Sequence, residues 1–292
     1  MWDLREYRFA SSPAEAVAML RQGPGRGAYI AGGTDLLRGK PECDFVVDIN
    51  HAGIATIDLH PDGDLFLGAA TTVLEAARDA RVEAFAGAAL ATTLAECCRR
   101  SVRPGATFGG QLCHGTRCGD LAPVLLALDA ECVIADETAT TTLPLSAFYH
   151  RGGTALADRL LVGVILPRNA RLRRCVSHRH TRSRDGAALV QMAVGLDVVE
   201  NLIVNLRIGL GAATAVPQRT PLAEAVLTGL DPRSVGPMEI QDCAETAAAE
   251  VAPVDDSRAS AGYRRDLVAV LTRRLLSRAL AWRDEEEPDR YA

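Results

Sequence analysis

Apolar and polar positions divide the chain into short extended and helical segments. Tyr7-Arg8-Phe9 reads as a strand, and Ser11-Ser12-Pro13-Ala14-Glu15 opens a helix with Ser at the cap and Pro in its first turn. That helix runs to about Gln22, with Ala16, Val17 and Leu20 on one face, and the stretch from Gly23 to Gly27 ends it. Residues 28–31 and 45–49 are apolar strands. Strand and helix in alternation predict a small α/β unit. Further on, 54–59 and 65–68 pair around Pro61-Asp62-Gly63, and Thr71-Thr72-Val73-Leu74-Glu75 has the form of a capping box.

An alanine-rich helix is expected over 85–100, and a second from Asp120-Leu121-Ala122-Pro123 through Leu128. Strands follow at 131–135, 140–143 and 160–166, the last closed by Pro167. The charged stretch 168–174 reads as a linker, and the main domain boundary is placed there. Beyond it, strands at 189–199 and 203–210 turn at Glu200-Asn201, and helices follow at 222–227, 237–251 and 261–283. In the last helix Leu267, Leu271, Leu275 and Ala279 recur every four residues, a stripe that faces a core. The expected organisation is therefore 1–170, with subdomains of about 1–52 and 53–170, then 171–284 and an acidic tail over 285–292.

Composition narrows the function classes. With 292 residues, 48% hydrophobic and 24% charged, the chain can bury a full core. A net charge of −5, with one basic stretch from Arg171 to Arg184, argues against nucleic acid as the main partner. No apolar run approaches the roughly 18–20 residues of a membrane span, and Met1-Trp2-Asp3-Leu4-Arg5-Glu6 lacks a signal-peptide pattern. A cytoplasmic location is expected. Lys40 is the only lysine, so arginine supplies the basic charge.

The eight cysteines fit that compartment as reduced thiols. Cys97-Cys98 lie in the alanine-rich stretch, where small buried residues are expected. Cys113 and Cys118 lie within the second glycine region with four residues between them, while Cys132, Cys175 and Cys243 are scattered. No metal or Fe–S ligand set is expected on this chain, since a cluster needs more ligands at close spacing. Nor does any nucleophile–base set stand in a recognisable context.

Two glycine turns carry the most chemistry. Ala31-Gly32-Gly33-Thr34-Asp35-Leu36 and Thr107-Phe108-Gly109-Gly110-Gln111-Leu112 each follow an extended segment and lead toward a helix. Glycine exposes backbone N–H groups and tolerates positive φ, and amides at a helix start attract phosphate oxygens. Two such turns in one half of the chain suit a ligand with two phosphates. Neither is followed by the Gly-Lys-Ser/Thr of a P-loop, and the three-glycine spacing of a Rossmann site is missing.

These turns and their surroundings resemble the FAD-binding medium subunit of the molybdenum hydroxylases, the group that includes carbon monoxide dehydrogenase-like and xanthine dehydrogenase-like enzymes. The stretches that carry the resemblance are AGGTDLL at 31–37 and RPGATFGGQLCHGTRCGDLAPVLLALDA at 103–130. Residues 207–211, Gln218-Arg219, Ala223-Glu224 and DDSRASAGYRR at 255–265 extend it over nearly the whole chain. The resemblance implies an α+β fold: a two-subdomain FAD-binding domain of the vanillyl-alcohol oxidase-like (PCMH) type, then a C-terminal domain with a small antiparallel sheet and helices.

It also implies a site. The backbone of Ala31, Gly32, Gly33, Thr34, Asp35 and Leu36, with that of Thr107, Phe108, Gly109, Gly110 and Gln111, would hold the pyrophosphate and ribityl chain. Thr107 would add a hydroxyl, Thr116 and Asp120 would bind cofactor hydroxyls, and Leu161 would pack near the isoalloxazine. Asp120 has a second reading as an N-cap. His178 falls where relatives carry lysine, and a cation there would stabilise the anionic reduced flavin; its other reading is a surface residue of an arginine-rich strand. Three positions depart from the family pattern: Gln111 for asparagine, Arg117 for proline and His178 for lysine, whose charge would depend on pH.

The function implied is electron transfer. Molybdenum–pterin would sit on a large partner subunit and 2Fe-2S clusters on a small one, with electrons passing through FAD to NAD⁺, O₂ or another acceptor. Two other readings stand beside it: a stand-alone FAD-dependent oxidoreductase of the same fold, and a scaffold that has lost its flavin.

Overall fold

The structure is a computed structural model that describes residues 4–39, 43–113, 120–150, 156, 158–183 and 186–281. The chain opens with β1 (Glu6–Phe9) and α1 (Pro13–Arg21), where Ser12 accepts a hydrogen bond from the Glu15 N–H at 3.2 Å and Pro13 takes the first helical position. β2 (Gly27–Ile30), the four-residue α2 (Leu36–Gly39) and β3 (Phe45–Asp48) follow. The three strands form a parallel sheet in the order β1-β3-β2. Central β3 is buried along its whole length, which explains its run of apolar residues.

Next come β4 (Ile57–Leu59), β5 (Leu65–Gly68), α3 (Val73–Arg78), α4 (Ala80–Glu83), α5 (Ala89–Glu96), α6 (Phe108–Cys113) and α7 (Ala122–Ala127). β6 (Glu131–Ala135), β7 (Thr140–Pro144), α8 (Leu145–His150) and β8 (Leu160–Leu166) follow. Thr72 and Glu75 make both bonds of the capping box at the start of α3. A five-stranded sheet has the order β4-β5-β8-β6-β7, antiparallel at every pairing, with β8 inserted between β5 and β6.

The continuous helix expected over 85–100 is broken. Residues Ala86–Ala88 form a 3₁₀ turn in which Gly87 and Ala88 take φ of 60° and 63°. Helix α5 then stops at Glu96, and Cys97 is extended. Alanine favours a helix, but tertiary bonds override it here: the Ala86 N–H donates to the Arg171 carbonyl at 2.8 Å.

The chain divides into two units: residues up to 115 with 129–171, and residues 116–128 with 172 onward. The second holds an antiparallel sheet in the order β12-β11-β10-β9, from β9 (Arg174–His180), β10 (Val190–Val199), β11 (Leu202–Gly211) and β12 (Gln218–Arg219). α9 (Pro221–Leu227), α10 (Pro237–Glu250) and α11 (Ala261–Ala281) complete it. The expected stripe Leu267, Leu271, Leu275 and Ala279 is buried in one core with Met192, Val194, Leu206 and Ile208.

All six residues of α7 are buried in the same unit. Gln191 Nε2 donates to the Asp120 carbonyl at 2.5 Å, just before the helix, and Arg173 Nη1 donates to the Ala127 carbonyl at 3.0 Å at its end. Arg173, within the stretch expected as an exposed linker, is fully buried and paired with Asp197 at 3.1 Å. No helix among the described residues is long and apolar enough to cross a membrane.

Candidate functional site

The first glycine turn leaves β2 at Ile30 and enters α2 at Leu36. Gly33 has φ of 65°, a left-handed conformation that favours glycine. The backbone N–H groups of Gly32, Gly33, Thr34 and Asp35 have no hydrogen-bond partner among the described residues. The start of the turn is tied down from behind. Asn50 Nδ2 donates to the Ala31 carbonyl at 3.2 Å and to Asp48 Oδ1 at 2.8 Å, and the Tyr7 hydroxyl donates to Asp48 Oδ2 at 2.5 Å. That last bond to a carboxylate pushes the Tyr7 hydroxyl up to about 12.

The second turn is anchored differently. Thr107 bridges Thr72, and the N–H groups of Phe108 and Gly109 donate to the carbonyls of Thr71 and Ala69, each at 2.8 Å. The two glycines lie inside the first turns of α6 rather than ahead of a helix, a difference from the expected strand–turn–helix order. A β-carbon on Gly109 would lie 2.6 Å from Ala69 Cβ, so Gly109 serves close packing. Gly110 is exposed and less crowded: outside its own helix, a β-carbon there would meet only Thr107 Oγ1, at 2.9 Å, among the described residues.

Both turns line one cavity of about 350 Å³. Ala31, Gly32, Gly33, Thr34, Asp35 and Leu36 form one wall, and Thr107, Gly110 and Gln111 contribute to the other. A neighbouring cavity of about 290 Å³ shares Tyr29, Ala31, Thr107, Gly110 and Cys113 with it. Its remaining lining includes Gly109, Leu20, Ile49, Leu160, Leu161 and Arg159. Ligand pockets run from about 300 to 1,000 Å³ with mostly apolar walls and a few placed polar groups. A polar cradle next to an apolar slot has the form that a dinucleotide requires.

The other expected site residues are placed as follows. Phe108 is fully buried and lines neither cavity. Thr116, like Arg117, lies outside the described residues. Asp120 and His178 belong to the second unit. Asp120 is buried, and its carboxylate accepts from Arg179 Nε at 3.3 Å, while the helix after it starts from Leu121 without a side-chain cap. His178 is exposed on β9 opposite Met192, with the His180 ring centroid 6.3 Å from its own.

Tyr29 and Cys97 escaped the sequence reading. Tyr29 lines both cavities, and its hydroxyl is buried without a hydrogen-bond partner among the described residues. Burial pushes that hydroxyl well above its ordinary value. A polar-tipped aromatic in the strand that feeds the first glycine turn was the available signal. Cys97 Sγ donates to the side-chain oxygen of Gln111 at 3.4 Å, a contact that joins two segments and leaves no trace in spacing.

The remaining family-like stretches resolve into structural ion pairs. Glu224, buried, accepts from Arg219 and from the Ile208 N–H at 2.9 Å. Asp256 takes Arg258 and the fully buried Arg264, each at 2.8 Å. No group of three His, Cys, Asp or Glu side chains among the described residues could hold a metal ion. Burial pushes the thiols of Cys175 and Cys243 up to about 12, which suits packing rather than reactivity.

Comparison with known proteins agrees with this geometry. The family described as FAD binding domain in molybdopterin dehydrogenase matches residues 4–169, and the one described as CO dehydrogenase flavoprotein C-terminal domain matches 177–279. The xanthine dehydrogenase FAD-binding subunit of Escherichia coli O157:H7 is 27% identical over 293 residues, covering 96% of this chain and 98% of that one. Among solved structures, a carbon monoxide dehydrogenase chain from Hydrogenophaga pseudoflava superposes with a TM-score of 0.88 at 24% identity, covering 96% of this chain and 99% of its own. A chain of quinoline 2-oxidoreductase from Pseudomonas putida 86 gives 0.85 at 24%, covering 97% and 99%. The two structures share this fold: an FAD-binding domain followed by a domain with an antiparallel sheet.

Proposed function

Because the chain belongs to the FAD-binding family of the molybdopterin dehydrogenases, we propose that it is the electron-transfer subunit of a multi-subunit molybdenum hydroxylase in the cytoplasm. Its partners are a large molybdopterin-binding subunit and a small 2Fe-2S subunit. Electrons arrive from the iron–sulfur partner and leave to NAD⁺, O₂ or another acceptor. FAD supplies the chemistry when bound, because it takes electrons singly and releases them in pairs.

The observation that carries this reading is the set of four N–H groups at Gly32, Gly33, Thr34 and Asp35 without a partner among the described residues, on the same cavity as Gly110 and Thr107. Such a nest of amides would hold the diphosphate, and backbone groups can do so only where no side chain intervenes. The Thr107 hydroxyl would add a donor. Leu160, Leu161 and Ile49 would cover an aromatic ring of the cofactor and keep water from it. Asp120 and His178 enter as cofactor contacts through the family resemblance, and Asp120→Ala and His178→Ala test them by flavin content.

The decisive experiment is affinity purification of the tagged chain from its host, with absorbance spectroscopy and metal analysis. A yellow complex containing flavin, molybdenum and iron is expected. Colourless protein that binds no added FAD would overturn the reading in favour of a scaffold. Flavin without co-purifying metal subunits would favour a stand-alone oxidoreductase.

A further inference from the structure

Helix α5 ends at Glu96, Cys97 after it is extended, and the next residue, Cys98, has φ of 58°, a backbone region that non-glycine residues seldom occupy. This kink brings the two sulfurs to 3.4 Å. Cys97 is fully buried and Cys98 half-buried. Arg103 fixes the dipeptide from its backbone side, with Nε donating to the Cys97 carbonyl at 2.8 Å and Nη2 to that of Cys98 at 3.4 Å. On the other side, the Cys97 thiol donates to Gln111 Oε1, and Gln111 lines the glycine-turn cavity.

We propose that Cys97 and Cys98 form a reversible two-electron redox site, oxidised by hydrogen peroxide to a vicinal disulfide, that acts on the cavity through Gln111. Cys98 Sγ, as the thiolate, attacks one peroxide oxygen; the O–O bond breaks, a sulfenic acid forms and the other oxygen leaves as water after taking a proton. Cys97 Sγ then attacks the Cys98 sulfur, the S–O bond breaks and a second water leaves. Two thiols and one peroxide thus give one disulfide and two waters, with two electrons passing from sulfur to oxygen.

The reverse step is favoured by geometry. Adjacent Cα atoms lie about 3.8 Å apart, below the roughly 4.4–6.8 Å usual for bridged cysteines, and such bridges are more easily reduced. Bridging removes the S–H that the buried Gln111 amide accepts. A buried oxygen that loses its donor must reorient or stay unpaired, and the space open to Gln111 is the cavity it lines. The thiol chemistry needs no cofactor; the effect on the cavity rests on the FAD reading above.

Trypsin separates this site from every other cysteine, because the peptide 82–99 contains Cys97 and Cys98 alone. The full chain is treated with hydrogen peroxide, alkylated, digested and weighed. Peptide 82–99 is expected to lose two hydrogens and both alkyl tags, and dithiothreitol is expected to restore them. Two tags on that peptide while other cysteines oxidise would overturn the proposal, as would a sulfinic acid at Cys98 without a bridge. Cys98→Gly, which suits the positive φ, should keep the fold and one taggable thiol and show no such loss. In a second arm, oxidised wild type should bind FAD several-fold more weakly than reduced, with no such difference in Cys98→Gly. Equal affinities would remove the coupling to Gln111, and a chain that binds no FAD in either state would sink the flavin reading while the peptide result still decides the thiol site.

Discussion

The α-carbon of Gly32 faces the carbonyl oxygen of Gly105 so closely that a β-carbon would lie 1.5 Å from it. Gly32 lies in the turn that follows β2 of the parallel sheet, and Gly105 lies two residues ahead of the turn that runs into α6. The contact ties the first glycine turn to the segment just ahead of the second. Gly32→Ala therefore has to move backbone on one side. Overpacking of this kind costs about 1–3 kcal/mol. The expected result is a lower melting temperature together with reduced flavin content, and a variant with wild-type values of both would contradict the contact.

Gly110 offers the opposite experiment. A side chain there enters the cavity rather than the core, and outside its own helix its near neighbour among the described residues is Thr107 Oγ1, which must shift slightly. Gly110 also lies inside α6, where replacing glycine by a better helix former gains about 0.5–1 kcal/mol. Gly110→Leu should melt close to wild type, the helix gain offset by the shift Thr107 must make, and yet retain at least tenfold less FAD, measured by fluorescence titration. Unchanged affinity would mean that the cavity is not where the cofactor binds.

Much of this was legible in the chain itself. Ser12, Pro13 and the Thr72–Glu75 pair mark their helix starts because capping is local chemistry. The Leu267–Ala279 stripe marks its buried face because helical period is local too. What stayed hidden needed tertiary knowledge. The break at Gly87–Ala88 depends on a bond to Arg171, distant in sequence. The burial of Arg173, in a stretch that reads as exposed, depends on Asp197 and the Ala127 carbonyl. Within the glycine turns, sequence treated Gly109 and Gly110 alike; only packing separates the one against Ala69 from the one facing the cavity.

Tyr29 carries a third prediction. Its hydroxyl is buried without a partner among the described residues, and an unmade hydrogen bond of that kind costs about 1–3 kcal/mol. In flavin-free protein, Tyr29→Phe should raise the denaturation midpoint in urea, or at the least not lower it. A clear loss of stability would show that the hydroxyl has a partner after all.

The Asp256 cluster makes the pH dependence of the second unit predictable. Burial works against the carboxylate, but hydrogen bonds from Arg264 and Arg258 and from the Ala259 N–H outweigh it and hold the group well below its ordinary 3.8. Because the folded-state value lies below the unfolded one, the stabilisation is complete above 3.8 and is lost as pH falls toward the folded value. Arg264 raises the stakes, since it is fully buried and Asp256 is the carboxylate it pairs with. Removing one partner of a buried pair costs about 3–5 kcal/mol by leaving the other charge uncompensated, a large part of the roughly 5–15 kcal/mol that holds a domain folded. Asp256→Asn should therefore be strongly destabilised at neutral pH. The gap to wild type should narrow as pH drops below 4, where the Asp256 carboxylate of the unfolded chain takes up a proton while that of the folded chain stays ionised. Urea denaturation followed across that range checks both parts, and a gap that stayed constant with pH would assign the loss to packing rather than to charge.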